Sequence, residues 1–77
     1  MRVELFSKPD CCLCDRAKEV LERVRSKVAF DLEIRDISED PALLREYGEQ
    51  IPVVFIEGRK AFKYHVDEWR LLERLKR

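Results

Sequence analysis

Hydrophobic residues in the first third of the chain change from strand-like to helical spacing. Arg2 to Phe6 is a short β-like stretch, and the four residues after it, Ser7-Lys8-Pro9-Asp10, have turn composition. From Cys14 onward, apolar residues recur every three or four positions opposite charged ones, which predicts an amphipathic helix that begins at the cysteines. Its apolar positions are Ala17, Val20, Leu21, Val24 and Val28.

The middle of the chain predicts an edge strand followed by a short helix. Apolar and charged residues alternate from Phe30 to Arg35, as in a strand with one buried and one solvated face, and we expect it at the edge of a sheet. Asp40 as N-cap, Pro41 in the first turn and Gly48 after the last turn frame the helix. The residues expected on buried faces are Phe30, Leu32 and Ile34 of the strand and Leu43, Leu44 and Tyr47 of the helix.

The last third predicts a central strand, a hairpin and a final helix. Val53 to Ile56 is apolar on both faces and therefore belongs in the middle of a sheet, and Glu57-Gly58 offers a tight turn into a strand over Lys60 to Tyr64. Asp67 then caps the last helix. The apolar residues of that helix are Trp69, Leu71, Leu72 and Leu75.

The resulting order of elements is β-α-β-α-β-β-α. Its first crossover is long enough to join parallel strands, whereas the closing hairpin must be antiparallel. We therefore expect an α/β fold with a mixed four-stranded sheet flanked by helices. A chain of 77 residues has room for one core, so the prediction is a single domain over residues 1–77.

Charge and hydropathy exclude several classes of partner. Lysine plus arginine equal aspartate plus glutamate at 16 each, and the two signs are interleaved, so no broad field attracts nucleic acid or anionic lipid. The longest apolar run, about Ile51 to Ile56, is far shorter than the roughly 20 residues of a membrane helix, and the N-terminus lacks signal-peptide form. We expect a soluble cytoplasmic monomer that binds neither nucleic acid nor membrane.

Three clustered cysteines, Cys11, Cys12 and Cys14, indicate a local redox or metal site rather than a secreted disulfide framework. A thiol at a helix N-terminus ionises readily, and the thiolate is the nucleophile, which favours Cys11 for that role with Lys8 as a nearby positive charge. Cys14 lies one turn further on and continues the apolar stripe, so it is placed to resolve a mixed disulfide and to be the more buried thiol.

Two alternatives to redox chemistry stand beside this interpretation. A Cys-x-x-Cys pair is half of many zinc sites, although the sequence offers only His65 beyond the three cysteines, and a structural zinc ion takes four protein ligands. Cysteines are also found as inert small hydrophobes. His65 is either a base or, more simply, a polar surface residue.

The segment from Phe6 to Cys14 resembles the glutaredoxin active site, which reads aromatic, Ser or Thr, Lys, two residues, then Cys-x-x-Cys. Asp36 to Pro41 and Tyr47 to Gly58 are similar to small glutaredoxin-like proteins of the Cys-x-Leu-Cys type, so that the resemblance covers essentially the whole chain. It implies a thioredoxin-like, glutaredoxin-like fold.

The resemblance also implies roles for four further residues. Pro52 would be the cis-proline that faces the cysteines, and Ile51 would offer its backbone to a peptide or glutathione strand. Lys8 would meet the glutathione carboxylate. Glutathione-binding members carry Gly-Gly-x-Asp before the last helix, whereas this chain has Tyr64-His65-Val66-Asp67, which keeps the acid but lacks the glycines. Asp67 is therefore either a substrate contact or simply a helix cap.

We therefore expect a thiol–disulfide oxidoreductase that reduces protein or glutathione mixed disulfides through Cys11 and Cys14. Its electrons would come from glutathione or a reductase, and we expect no bound cofactor or metal. One alternative is an iron–sulfur cluster or metal carrier that uses Cys11. The other is a non-catalytic binding module on a thioredoxin fold.

Overall fold

The computed structural model describes residues 1–76, so Arg77, the last residue of the predicted domain, lies outside the described residues. Eight elements follow one another along the chain. They are β1 (Arg2–Ser7), α1 (Cys12–Arg25), β2 (Asp31–Asp36), a single 3-10 turn (Ile37–Glu39), α2 (Pro41–Tyr47), β3 (Val53–Ile56), β4 (Arg59–Lys63) and α3 (Glu68–Leu75). Apart from the 3-10 turn, this is the predicted order, with strand boundaries moved by one or two residues. The helix α1 ends at Arg25, three residues before Val28, which the helical pattern had included.

The four strands form one mixed sheet in the order β2-β1-β3-β4. The strand β1 runs parallel to β2 and antiparallel to β3, and β3 runs antiparallel to β4. The predicted central and edge positions of β3 and β2 are both confirmed. In the β3–β4 turn, Glu57 and Gly58 have φ values of 52° and 79°, the left-handed pair that a two-residue hairpin favours.

Apolar residues on the two faces of the sheet form two separate clusters. Val3 and Leu5 of β1 pack with α1 and α3 on one face, and Phe6 packs with residues of the α2 region on the other. Alternate residues of β1 point to opposite faces, so one strand contributes to both clusters. The larger cluster consists of Val3, Leu5, Ala17, Leu21, Val24, Phe30, Val54, Ile56, Leu71 and Leu75.

Helix boundaries follow the predicted capping residues. The Asp40 carboxylate accepts hydrogen bonds from the backbone N–H groups of Ala42 and Leu43, and Pro41 lies in the first turn of α2. The Asp67 carboxylate accepts from the N–H of Arg70 at 3.2 Å at the start of α3. No helix within residues 1–76 has the length and apolar character needed to cross a bilayer.

Two expected features of burial are wrong, at Ile34 and at Leu44. Ile34 is 45% exposed because it lies on the edge strand beyond the cover of α1, although Phe30 is buried and Leu32 half-buried as expected. Leu44 is 38% exposed because the seven-residue α2 meets the sheet along Leu43 and the residue one turn later, Tyr47. In α3, Leu71 and Leu75 are buried, whereas Trp69 is 69% exposed.

Candidate active site

The cysteine segment begins where β1 leaves the sheet and α1 starts. Asp10 has a φ of 58°, in the left-handed region that a short polar residue tolerates, and it turns the chain towards the helix. Cys11 follows in an extended conformation as the N-cap of α1, and Cys12 is the first residue of the helix. The sequence therefore places the thiol of Cys11 at the positive end of a 14-residue helix.

The Sγ atom of Cys11 takes the place of the oxygen in an ordinary N-cap. It accepts a hydrogen bond from the backbone N–H of Cys14 at 3.3 Å, which satisfies one of the free donors at the start of the helix. The sulfur of Cys11, the residue predicted to be the nucleophile, is thus held at the start of the helix by a backbone donor.

The three thiols differ in their access to solvent. Cys11 is half-buried, Cys12 is exposed, and Cys14 is 1% exposed. All three are free. The predicted asymmetry between Cys11 and Cys14 is confirmed for burial, and Cys12 points away from Cys14 because the helix turns through about 200° over two residues.

Burial raises the pKa of the Cys14 thiol to about 11, and the hydrogen bond with the side chain of Cys11 acts in the same direction. Two groups lower the pKa of Cys14. They are the backbone N–H of Lys8, which hydrogen-bonds its sulfur, and the charge of Lys18. Cys14 is therefore held in its protonated form at neutral pH, next to the sulfur of Cys11.

Pro52 lies at the same end of the sheet as the cysteines. The pair Phe6 and Val53 ends the antiparallel ladder of β1 and β3, so Pro52, just before Val53, lies beside the exit of β1. The Ile51–Pro52 peptide bond is cis, as the resemblance predicted, and Pro52 is buried. Its carbonyl oxygen accepts a hydrogen bond from the N–H of Tyr64 at 2.9 Å.

The residue before this proline has free backbone groups. Ile51 is half-buried, it belongs to no strand, and within residues 1–76 neither its N–H nor its C=O takes part in a backbone hydrogen bond. A free donor and acceptor on a partly exposed residue are what an added extended segment needs.

The remaining candidate residues from the sequence are Lys8, Asp67 and His65. Lys8 reaches the pair through its backbone N–H on the Cys14 side, as described above. Asp67 is the N-cap of α3, so the predicted capping role is confirmed. His65 is exposed and lies in the loop between β4 and α3.

A groove of about 320 Å³ along α1 was not predicted from the sequence. Its walls are one side of α1, from Leu13 to Arg23, and the loop residues Tyr64, His65 and Val66. Tyr64 has a φ of 68°, which is uncommon for an aromatic residue and which no hydrophobic pattern signals. The loop that replaces the glutaredoxin glycine pair thus lies against the helix that carries the thiols.

Metal binding receives no geometric support from the described residues. Between residues 1 and 76 there is no group of three or more His, Cys, Asp or Glu side chains arranged to hold an ion. Cys12 in particular does not converge with the other two thiols, because it is exposed while Cys14 is buried.

Comparison with known proteins agrees with this architecture. Residues 2–76 match the model of the family described as Glutaredoxin-like domain (DUF836). An uncharacterized protein of Mycobacterium tuberculosis is 35% identical over 75 residues, which cover 91% of this chain and 77% of that protein. A thioredoxin of Methanocaldococcus jannaschii is 31% identical over 80 residues, which cover 100% of this chain and 94% of that protein.

A solved structure has the same fold. The X-ray structure of a structural-genomics target protein from X. campestris superposes with a TM-score of 0.81 at 33% identity, over 96% of this chain and 95% of that one. The mixed sheet, the three helices and the cysteine pair at the start of α1 together form a thioredoxin-like fold. The chain therefore belongs to the glutaredoxin-like domain family.

Proposed function

We propose that this chain is a thiol–disulfide oxidoreductase that reduces mixed disulfides through Cys11 and Cys14. In the first step the Cys11 thiolate attacks one sulfur of a substrate disulfide and the other sulfur leaves as a thiolate. In the second step the sulfur of Cys14 attacks Cys11, the reduced substrate is released, and a Cys11–Cys14 disulfide remains. Two electrons from glutathione or a reductase then restore the dithiol.

One observation carries the proposal, namely the unequal environment of two adjacent thiols. Cys11 is accessible and accepts a backbone hydrogen bond at a helix N-terminus, while Cys14 is buried beneath it and kept protonated. An attacking thiol needs access and a stabilised anion, whereas a resolving thiol must be protected from the substrate until the mixed disulfide has formed. A pair of structural cysteines would need neither difference.

The substrate segment is proposed to bind along Ile51, where the free N–H and C=O groups would pair with an extended chain beside Pro52. Lys8 and Asp67 are proposed as charged contacts for a glutathione-type substrate. Asp67 already accepts a hydrogen bond from Arg70, so any substrate contact there shares the carboxylate with the helix. A reducing cytoplasm is the location that this dithiol chemistry fits.

Trapping of the mixed disulfide tests the proposal. Reduced Cys14→Ser protein is mixed with glutathione disulfide or with intact insulin, and the adducts are mapped by mass spectrometry of peptides. We expect a stable adduct on Cys11, because the serine cannot carry out the second step. The wild-type protein should instead accumulate the Cys11–Cys14 disulfide. The amount of Cys11 adduct formed with glutathione disulfide, compared with the amount formed with insulin, shows which class of substrate is preferred.

Two further variants complete the design. Cys11→Ser should abolish reduction, and Cys12→Ser, which removes the neighbouring exposed thiol, is the matched control and should keep most of the activity. Reduction that survives Cys11→Ser contradicts the proposal. A Cys12→Ser protein that loses both its activity and a stoichiometric metal would favour the carrier function instead.

A further inference from the structure

A second pocket lies on the Cys14 side of the thiol pair. Its volume is about 230 Å³, and it opens between the end of β1, the end of β2 and the helix α1. We call it the back pocket, and it is lined by Ser7, Lys8, Pro9, Lys18, Ile34 and Asp36. The proposed reaction at Cys11 does not use it.

Lys18 joins this pocket to the buried thiol. It lies four residues after Cys14 on α1, so the two side chains share one face of the helix. Lys18 is half-buried and lines the back pocket together with Asp36. The pocket therefore holds a positive charge on the helix face that carries the enclosed Cys14, and that charge acts on its sulfur.

We propose that Lys18 is a positioning residue for the second step, because its charge at the back pocket stabilises the Cys14 thiolate while that thiolate forms. This inference rests on the proposed function. Without such a charge, the anion would form next to the sulfur of Cys11 in an enclosed site, where an uncompensated charge is costly.

The step balances as follows. Cys14 gives its proton to solvent, and its thiolate attacks the Cys11 sulfur of the mixed disulfide. A Cys11–Cys14 bond forms as the bond from Cys11 to the substrate sulfur breaks. The substrate sulfur leaves with the electron pair as a thiolate, so Cys11 and Cys14 together lose the two electrons that the substrate gains.

The charged groups around Cys14 come from three parts of the fold. Cys11 faces it from the helix N-cap and disfavours its ionisation, and the backbone N–H of Lys8 favours ionisation from the loop after β1. Lys18 acts from α1 in the same sense as Lys8. Asp36 at the end of β2 lies across the pocket from Lys18; its own pKa is lowered first by its hydrogen bonds to Ser38 and also by Lys18.

The test separates the two chemical steps. Reduced full-length protein is mixed with excess glutathione disulfide between pH 6 and pH 10, quenched in acid at set times, and analysed by mass for the mixed and intramolecular disulfides. Lys18→Met and Lys18→Gln remove the charge, and Lys18→Arg keeps it. Arg25→Met is the matched control: it removes a positive charge from the exposed last turn of α1, about 16 Å along the helix from Cys14.

In Lys18→Met and Lys18→Gln we expect the mixed disulfide to be converted about three- to ten-fold more slowly than in the wild type at each pH from 6 to 10, with its formation unchanged. Lys18→Arg and Arg25→Met should match the wild type. An unchanged profile in both charge-removing variants overturns the inference, and so does an Lys18→Arg protein as slow as Lys18→Met. If the wild type forms no adduct on Cys11, the proposed function itself fails.

Discussion

Replacement of Cys14 by alanine should reduce the loss of stability that the protein suffers at alkaline pH. In the folded chain the Cys14 thiol has its pKa raised to about 11 by burial and by the Cys11 side chain, from a usual value of 9.0 that the unfolded chain recovers. Between these two values the folded state binds more protons than the unfolded state. The stability contributed by this group is therefore complete below pH 9 and is lost as the pH rises towards 11.

The size of the effect follows from the two pKa values. Linkage gives a loss of about 1 kcal/mol by pH 10 and about 2 kcal/mol by pH 11, relative to pH 7. Cys14 is only 1% exposed, so the unfolded chain exposes a thiol that the folded chain removes from solvent. In Cys14→Ala this contribution is absent, although the variant is less stable at every pH because it loses buried contacts.

The free energy of unfolding of the wild type and of Cys14→Ala is measured with urea in the presence of a phosphine reductant, at each pH unit from 7 to 10. Lysines and tyrosines also titrate in this range, but they are common to both proteins and cancel in the comparison. Cys12→Ala is the control, because its thiol is exposed and should leave the alkaline slope as it is in the wild type. Equal losses of stability from pH 8 to pH 10 in wild type and Cys14→Ala would refute the reasoning.

Three more outcomes can be checked directly. Iodoacetamide at pH 7 should modify Cys14 at least tenfold more slowly than the two accessible thiols, because a protonated buried thiol is a poor nucleophile. Peptide mapping measures the three rates, and equal rates would contradict the site geometry. Leu21→Ala should lower the free energy of unfolding by about 2–5 kcal/mol, since Leu21 is fully buried between α1 and the sheet. A loss below about 1 kcal/mol would contradict the tight packing of this side chain in the core. Asp40→Ala should cost about 1 kcal/mol in the same assay, whereas Asp40→Asn should keep most of the cap; identical losses would assign the effect to charge alone.

The sequence was sufficient for the order of elements and for the unequal burial of Cys11 and Cys14. Helical spacing places Cys14 on the apolar stripe of α1, and a residue on that stripe is buried wherever the stripe meets a sheet. The same argument failed for Ile34, because a strand pattern identifies the face of a residue but not whether another element covers that face. For the same reason periodicity could not distinguish the exposed Trp69 from the buried Leu71.

The surroundings of the cysteine pair could not be predicted from the hydrophobic pattern. The groove along Leu13 depends on a backbone conformation at Tyr64 that is rare for an aromatic residue, so the sequence gives no local signal for it. The hydrophobic pattern groups Lys18 only with the charged residues of α1. The sequence indicates only that Lys18 lies four residues after Cys14. The pocket itself could not be predicted, because residues of β2 form its other side.

The charged side chains on the edge strand have a consequence for assembly. On one face of the edge formed by β2 and β1, Arg2 pairs with Glu33, and Arg35 pairs with both Glu33 and Glu4. A second copy that extended the sheet past β2 would have to strip water from this network and align its own alternating charges with it. Neutralising Glu33 and Arg35 together would leave Ile34 on an open edge with little to oppose such pairing. We therefore expect these ion pairs to oppose growth of the sheet past β2, most of all when the protein is concentrated or partly unfolded.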